Sequence, residues 1–230
     1  MKNKSYIFLF ITIAIFVVAG FLYVKKANAP INNSQSTTDN SQQATNNLQP
    51  TTDNKKNTAN NNQKQETIDP LDNALSRITK KPFGIYVNPK NSPVNPERFT
   101  GYHSAVDLEA TIEEQNIDVA VKALCDGKLL SARTASGYGG VAAASCELDG
   151  QAVTVVYGHI KLSSITFKIG DQMKAGDFLA NLGTGFSNET DGERKHLHLG
   201  IHKGANINIL GYVQNKNQLD DWIDPSKYLQ

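Results

Sequence analysis

Five histidines all lie between His103 and His202. His103 and Asp107 stand four apart in YHSAVDLE, and on a strand residues i and i+4 point to one face. His196 and His198 stand two apart in KHLHLG and share a strand face in the same way. Imidazoles and a carboxylate converging from two such pairs are the donors of a catalytic zinc site, which takes three protein ligands and leaves one position for water. A structural zinc site would instead close itself with four ligands, usually including Cys, and Cys125 and Cys146 are not near these pairs in sequence. His159 ends the run TVVYGHI, where its imidazole could reach a metal-activated water from the side. His202 falls on the face of His196 and His198, about 7 Å further along for each pair of residues, and is expected at a rim. Each pattern alone is common. Their succession, HxxxD, then YGH, then HLH, is far more specific.

The elements that must position these residues are mainly strands. Asp118–Leu124 reads as a strand, followed by a turn at Asp126-Gly127 and a second strand over Lys128–Arg133. Gly137-Tyr138-Gly139-Gly140 forms a loop. Val141–Leu148 and Gln151–Ile160 form a hairpin about Asp149-Gly150, a dipeptide suited to a two-residue turn. Gly170, Gly176 and Gly183 punctuate further short strands, and His196–His202 alternates as another. A short amphipathic helix is expected from Leu71, Ala74, Leu75 and Ile78, with Asp69 as cap and Pro70 at the first helical position. The Pro- and Asn-rich stretch that follows should be irregular. Many short strands with close turns imply a mainly β fold, an antiparallel sheet or small barrel-like sandwich.

The N-terminal third is of another kind. Tyr6–Val24 is an uncharged apolar run, which as a helix spans roughly 28 Å, close to the hydrocarbon thickness of a bilayer. Residues 1–26 are therefore read as a cytoplasmic tip and a transmembrane signal-anchor, placing the remainder outside the cytoplasmic membrane. Ala27-Asn28-Ala29 resembles a signal-peptidase site, but Pro30 follows it directly and the apolar run exceeds a usual signal core. Residues 27–66, rich in Asn, Gln and Thr and without aromatics, cannot bury enough surface to offset their ordering entropy and are read as a disordered linker. Residues 67–230 are left as one folded domain. From Thr67 onward 16 Lys and Arg stand against 19 Asp and Glu, so the domain lacks the excess positive charge of a nucleic-acid surface.

From about Phe83 to Leu229 the chain resembles the lysostaphin-type zinc metallopeptidases, the LytM-domain peptidoglycan endopeptidases. GYHSAVDLEA, the GYGG loop, VVYGHIKL, the spaced glycines of FKIGDQMKAG, HLHLGIHKG and WIDPSKYL carry the resemblance. It implies that His103, Asp107 and His198 bind zinc and that His159 and His196 are the non-ligand, catalytic histidines. It also implies hydrolysis of the peptides that cross-link bacterial peptidoglycan. Two positions depart from the family pattern. Ala105 stands where HxGxD has Gly, and GERK at residues 192–195 replaces the usual turn before HLH, so the groove rim is expected to differ. A non-catalytic LytM-like scaffold for a cell-wall amidase would typically lack zinc ligands, and a peptidase for secreted proteins is the other alternative. Outside the membrane, Cys125 and Cys146 could form a disulfide, the rival being two buried thiols. Neither the bond cut, a glycine bridge or a D-alanyl link, nor the principal base is legible.

Overall fold

A computed structural model describes residues 66–230 of the chain. The expected anchor and nearly all of the expected linker lie outside the described residues. Among the described residues no helix is long and apolar enough to cross a membrane.

Among the described residues thirteen strands follow one another: β1 Tyr86–Val87, β2 Gly101–His103, β3 Ala105–Glu109, β4 Ala120–Lys122, β5 Gly127–Ala135, β6 Gly139–Leu148, β7 Gln151–Gly158, β8 Ile160–Lys161, β9 Gln172–Met173, β10 Phe178–Leu182, β11 His196–Lys203, β12 Tyr212–Val213 and β13 Trp222–Ile223. All pair antiparallel. The largest sheet runs β13-β11-β7-β6-β5-β9, with β3 pairing the first half of β11 on the edge that β13 uses for the second half. Two smaller sheets have the orders β4-β10-β8 and β1-β2-β12.

Side-chain alternation divides the large sheet into two faces. Leu197, Leu199 and Ile201 of β11, Val155 and Tyr157 of β7 and Leu108 of β3 enter the main core. There they meet Val121, Leu179 and Leu182 of the β4-β10-β8 sheet. Each fully buried Leu or Ile contributes about 1.5–3 kcal/mol, so this face fixes the register of β11. The opposite face of the same strand then has to present His196 and His198. The β6–β7 turn has Asp149 at φ 50° and Gly150 at φ 75°, the left-handed pair that a two-residue hairpin needs, with Leu148 opposite Gln151.

Three local expectations are revised. The amphipathic helix shrinks to a single 3-10 turn, Ala74–Arg77. The Asp69 carboxylate does accept from the Ala74 amide, at 3.2 Å, but it also accepts from the Gln230 amide at 2.9 Å, and Asn73 at φ 56° breaks the helical path. The strand expected over Gln151–Ile160 divides at His159, which has φ 61°. His103 and Asp107 lie not on one strand but on two, β2 and β3, which belong to different sheets. The cysteines are joined: Cys125, after β4, is disulfide-bonded to Cys146 of β6, with Cα atoms 6.0 Å apart.

Candidate active site

Cross-strand register assembles the site. Asp107 of β3 lies directly opposite His198 of β11, and Glu109 lies opposite His196. His103 arrives from β2, where it faces Tyr212 of β12. The chain turns between β2 and β3 at Ser104, whose amide and hydroxyl donate to the carbonyls of Gly211 and Leu210. That pinned turn replaces the single-strand geometry expected from the HxxxD spacing. Ala105, the first departure from the family pattern, is fully buried opposite Gly200. A side chain at Gly200 would touch the Ala105 methyl at 3.6 Å, so the extra methyl is accommodated by a glycine across the ladder. On the other side of His198, Gly158 leaves room for the Tyr138 ring, which a Cβ would meet at 2.4 Å.

Three ligating atoms converge. His103 Nε2 lies 3.2 Å from His198 Nδ1 and 3.3 Å from Asp107 Oδ1, and His198 Nδ1 lies 3.2 Å from Asp107 Oδ1. A tetrahedral zinc with arms of about 2.0–2.1 Å has ligand-to-ligand edges of about 3.3–3.4 Å, so the triangle has the size of one zinc face. The proton positions agree. His103 faces the Pro82 carbonyl through Nδ1 at 3.4 Å, and His198 Nε2–H donates to the Tyr138 hydroxyl at 3.1 Å. That hydroxyl in turn donates to the Ile209 carbonyl at 2.8 Å, which leaves it only an acceptor toward His198. Each imidazole thereby turns its N–H outward and its lone pair inward, the arrangement that metal-binding histidines adopt. Two imidazole lone pairs and a carboxylate, all buried, repel one another unless a cation lies between them. The residues present fit a zinc ion.

His159 and His196 flank this triangle, their ring centroids 4.4 Å apart. His159 Nδ1–H donates to the Tyr138 carbonyl at 2.9 Å, and His196 Nδ1–H donates to the Arg194 carbonyl at 2.8 Å. In both rings Nε2 is the nitrogen left for chemistry. The left-handed backbone of His159 is uncommon for a non-glycine residue, and a hydrogen bond from the Gly183 amide to its carbonyl holds it. Burial, with the neighbouring His196 and His198, holds the His159 pKa well below the usual imidazole range. Burial also pushes His198 down to about 4, so both rings are neutral near pH 7. For Asp107 burial acts upward, but the facing His196 and His103 prevail and keep its carboxyl well below the usual range.

Residues 101–210, which contain all five of these residues, match the model of peptidase family M23. The domain belongs to that family. Similar solved structures include the catalytic domain of the antimicrobial peptidase lysostaphin from Staphylococcus simulans (22% identity, covering 67% of this chain and 93% of that one, TM-score 0.45). LytU is similar at 24% identity over 66% of this chain and 90% of that one, TM-score 0.43. A zinc-containing peptidase from Vibrio cholerae is similar at 21% identity over 60% and 37%, TM-score 0.38. No curated protein is significantly similar in sequence.

The M23 domain opens over the triangle into a groove of about 370 Å³. Phe99, Tyr138, Ile209, Leu210 and Tyr212 make an apolar wall, and Glu193, Arg194 and His196 make a polar one. Sequence reasoning missed several contributors. Tyr138 orients a candidate ligand. Tyr212 lies against the His103 ring, centroids 5.1 Å apart, and its hydroxyl accepts from the buried Lys81 ammonium at 2.9 Å. Lys81 is paired with buried Glu97 at 2.6 Å, and its carbonyl accepts from the Asp107 amide. Arg194 Nη2 donates to Asp107 Oδ2 at 2.8 Å. The unusual GERK run was the one available signal for Arg194. His202 packs edge-on to Trp222 at 4.9 Å and does not line the groove.

Proposed function

We propose that the M23 domain is a zinc metalloendopeptidase that hydrolyses cross-linking peptides of bacterial peptidoglycan. The observation that carries this reading is the zinc-sized triangle of inward lone pairs at His103, Asp107 and His198, set beside two imidazoles that commit Nδ1 to backbone carbonyls and leave Nε2 for proton transfer. Zinc, when bound, would supply Lewis acidity to a water molecule and to the scissile carbonyl. His159, kept neutral by burial, is able to accept the water's proton at Nε2. His196 Nε2, 3.3 Å from Asp107 Oδ2, is placed to share a proton with that carboxylate and to hydrogen-bond the carbonyl oxygen as charge develops there. The apolar lining of the groove, with Phe99, Ile209 and Leu210, suits a peptide substrate. Peptidoglycan as its source is supported by the resemblance of GYHSAVDLEA, VVYGHIKL and HLHLGIHKG to the LytM-domain endopeptidases.

The apolar run Tyr6–Val24 would hold the domain at the outer face of the cytoplasmic membrane, with residues 27–66 as tether. Full-length protein should carry about one zinc per chain and release new amino termini from purified peptidoglycan. A zinc-loaded chain that releases none, yet increases amidase activity when mixed with a wall amidase, would establish the scaffold reading instead. Protease added to intact spheroplasts should remove the domain, and a protected domain would overturn the outside placement.

A further inference from the structure

Each charged side chain of the GERK run has a partner. Glu193 accepts from Arg98 at 2.9 Å, and Lys195 donates to the carbonyls of Glu114 and Ile117 at 2.9 and 2.5 Å. Arg194 is different, because one of its partners belongs to the candidate metal site. Its Nη2 lies 2.8 Å from Asp107 Oδ2, the oxygen opposite the one that completes the ligand triangle. The same guanidinium donates to both oxygens of Glu109, at 2.5 to 3.0 Å. Glu109 is also 3.3 Å from Lys80. Arg194 and Glu109 are largely shielded, with side chains 13% and 12% exposed, so these charges act on one another with little screening by solvent.

We propose that Arg194 is a resident counter-ion to Asp107 that weakens the site's hold on zinc, and that Glu109 moderates it. This rests on the metal reading above. Without metal, Asp107 would be a carboxylate only 2% exposed, costly to keep charged unless paired. His103 and His196 face that carboxylate, and Arg194 adds a permanently charged partner that helps keep the site assembled before zinc arrives. Once zinc is in place, the same positive charge stands on the far side of the ligand carboxylate and repels the ion. Glu109, opposite in sign, reduces that repulsion. Because Arg194 donates to Oδ2, Asp107 would offer an ion Oδ1 alone.

Two neutralising variants must then move zinc affinity in opposite directions. Arg194→Gln removes a positive charge and should tighten zinc about tenfold, while lowering the melting temperature of the metal-free protein more than that of the zinc-loaded protein. Glu109→Gln leaves Arg194 and Lys80 less compensated and should weaken zinc by a similar factor. Arg194→Lys keeps the charge but not the planar fork, and should stay near wild type in affinity. The measurement is Zn²⁺ competition against a chromophoric chelator on the full-length protein in detergent at fixed pH. Near-ultraviolet circular dichroism checks the fold of each variant. If folded Arg194→Gln and Glu109→Gln both weaken zinc, Arg194 is only a brace and the counter-ion role is wrong. It is equally wrong if neither changes. A wild-type chain that takes up no zinc would overturn the metal reading as well, which separates the two failures.

Discussion

The two kinds of histidine on the site face should separate when removed singly. His198→Ala deletes a corner of the ligand triangle and should abolish stoichiometric zinc together with activity. His159→Ala and His196→Ala leave the triangle intact, and should keep zinc while losing about 10²–10⁴ in kcat. Zinc loss in either would mean that a base and a ligand had been exchanged. Tyr138→Phe removes the acceptor that orients His198, so zinc affinity should fall by about 10–100-fold with the fold retained. Unchanged affinity would show that Gly158 and the β-ladder suffice to hold the ring. His196 and His198 could be read as a pair because strand alternation is local, and His103, Asp107 and His159 as candidates because the HxxxD and YGH patterns are local, although the single strand expected for HxxxD is broken between β2 and β3. Tyr138 and Arg194 could not, since they meet their partners across 60 and 87 residues of sequence. No spacing rule encodes a register that packing sets.

At the scale of elements, what was legible follows the same division. Asp149-Gly150 declared its hairpin because both residues tolerate the left-handed backbone that the turn requires. The expected N-terminal helix failed because Asp69 is shared with the Gln230 amide and Asn73 leaves the helical region. The irregular stretch before β2 held no visible core, yet it carries Glu97, which locks onto Lys81 beside β2 and β12. Burial acts to raise the Glu97 pKa, but hydrogen bonds from Lys81, Ser92 and the Phe99 amide outweigh it and hold the carboxyl below its ordinary 4.5. A depressed folded pKa gives stability that is present above 4.5 and is lost as pH falls through the lower folded value. Thermal melts of the wild type should therefore decline below about pH 4.5 more steeply than those of Lys81→Met/Glu97→Leu. Parallel declines would remove the pair from the acid response. Glu97→Gln alone strands a buried ammonium and should cost about 3–5 kcal/mol at pH 7, by denaturant unfolding.

At the scale of the whole molecule, the disulfide ties the sheets that enclose the main core. Cys125 follows β4 of the smaller sheet, Cys146 lies on β6 of the large one, and both belong to the core cluster. Neither cysteine lines the groove, so the bond acts on the fold and not on the chemistry. With the bridged positions 21 apart in sequence, the chain-entropy model gives about 3 kcal/mol of stabilisation, chiefly by restricting the unfolded chain. For a domain of this size that corresponds to a melting temperature lowered by about 6–12 °C when the bond is absent. Cys125→Ala/Cys146→Ala should show that loss with zinc content and room-temperature activity retained. A variant that melts as the wild type does would mean that the two buried sulfurs serve only as packing. The bond also bears on where the domain works, since stable disulfides belong to oxidising compartments outside the cytoplasmic membrane. Protein isolated from its own cells and alkylated without reduction should show neither cysteine modified by mass spectrometry. Two alkylated cysteines would place the domain in a reducing compartment, against the proposed location, while leaving the metal triangle as it stands.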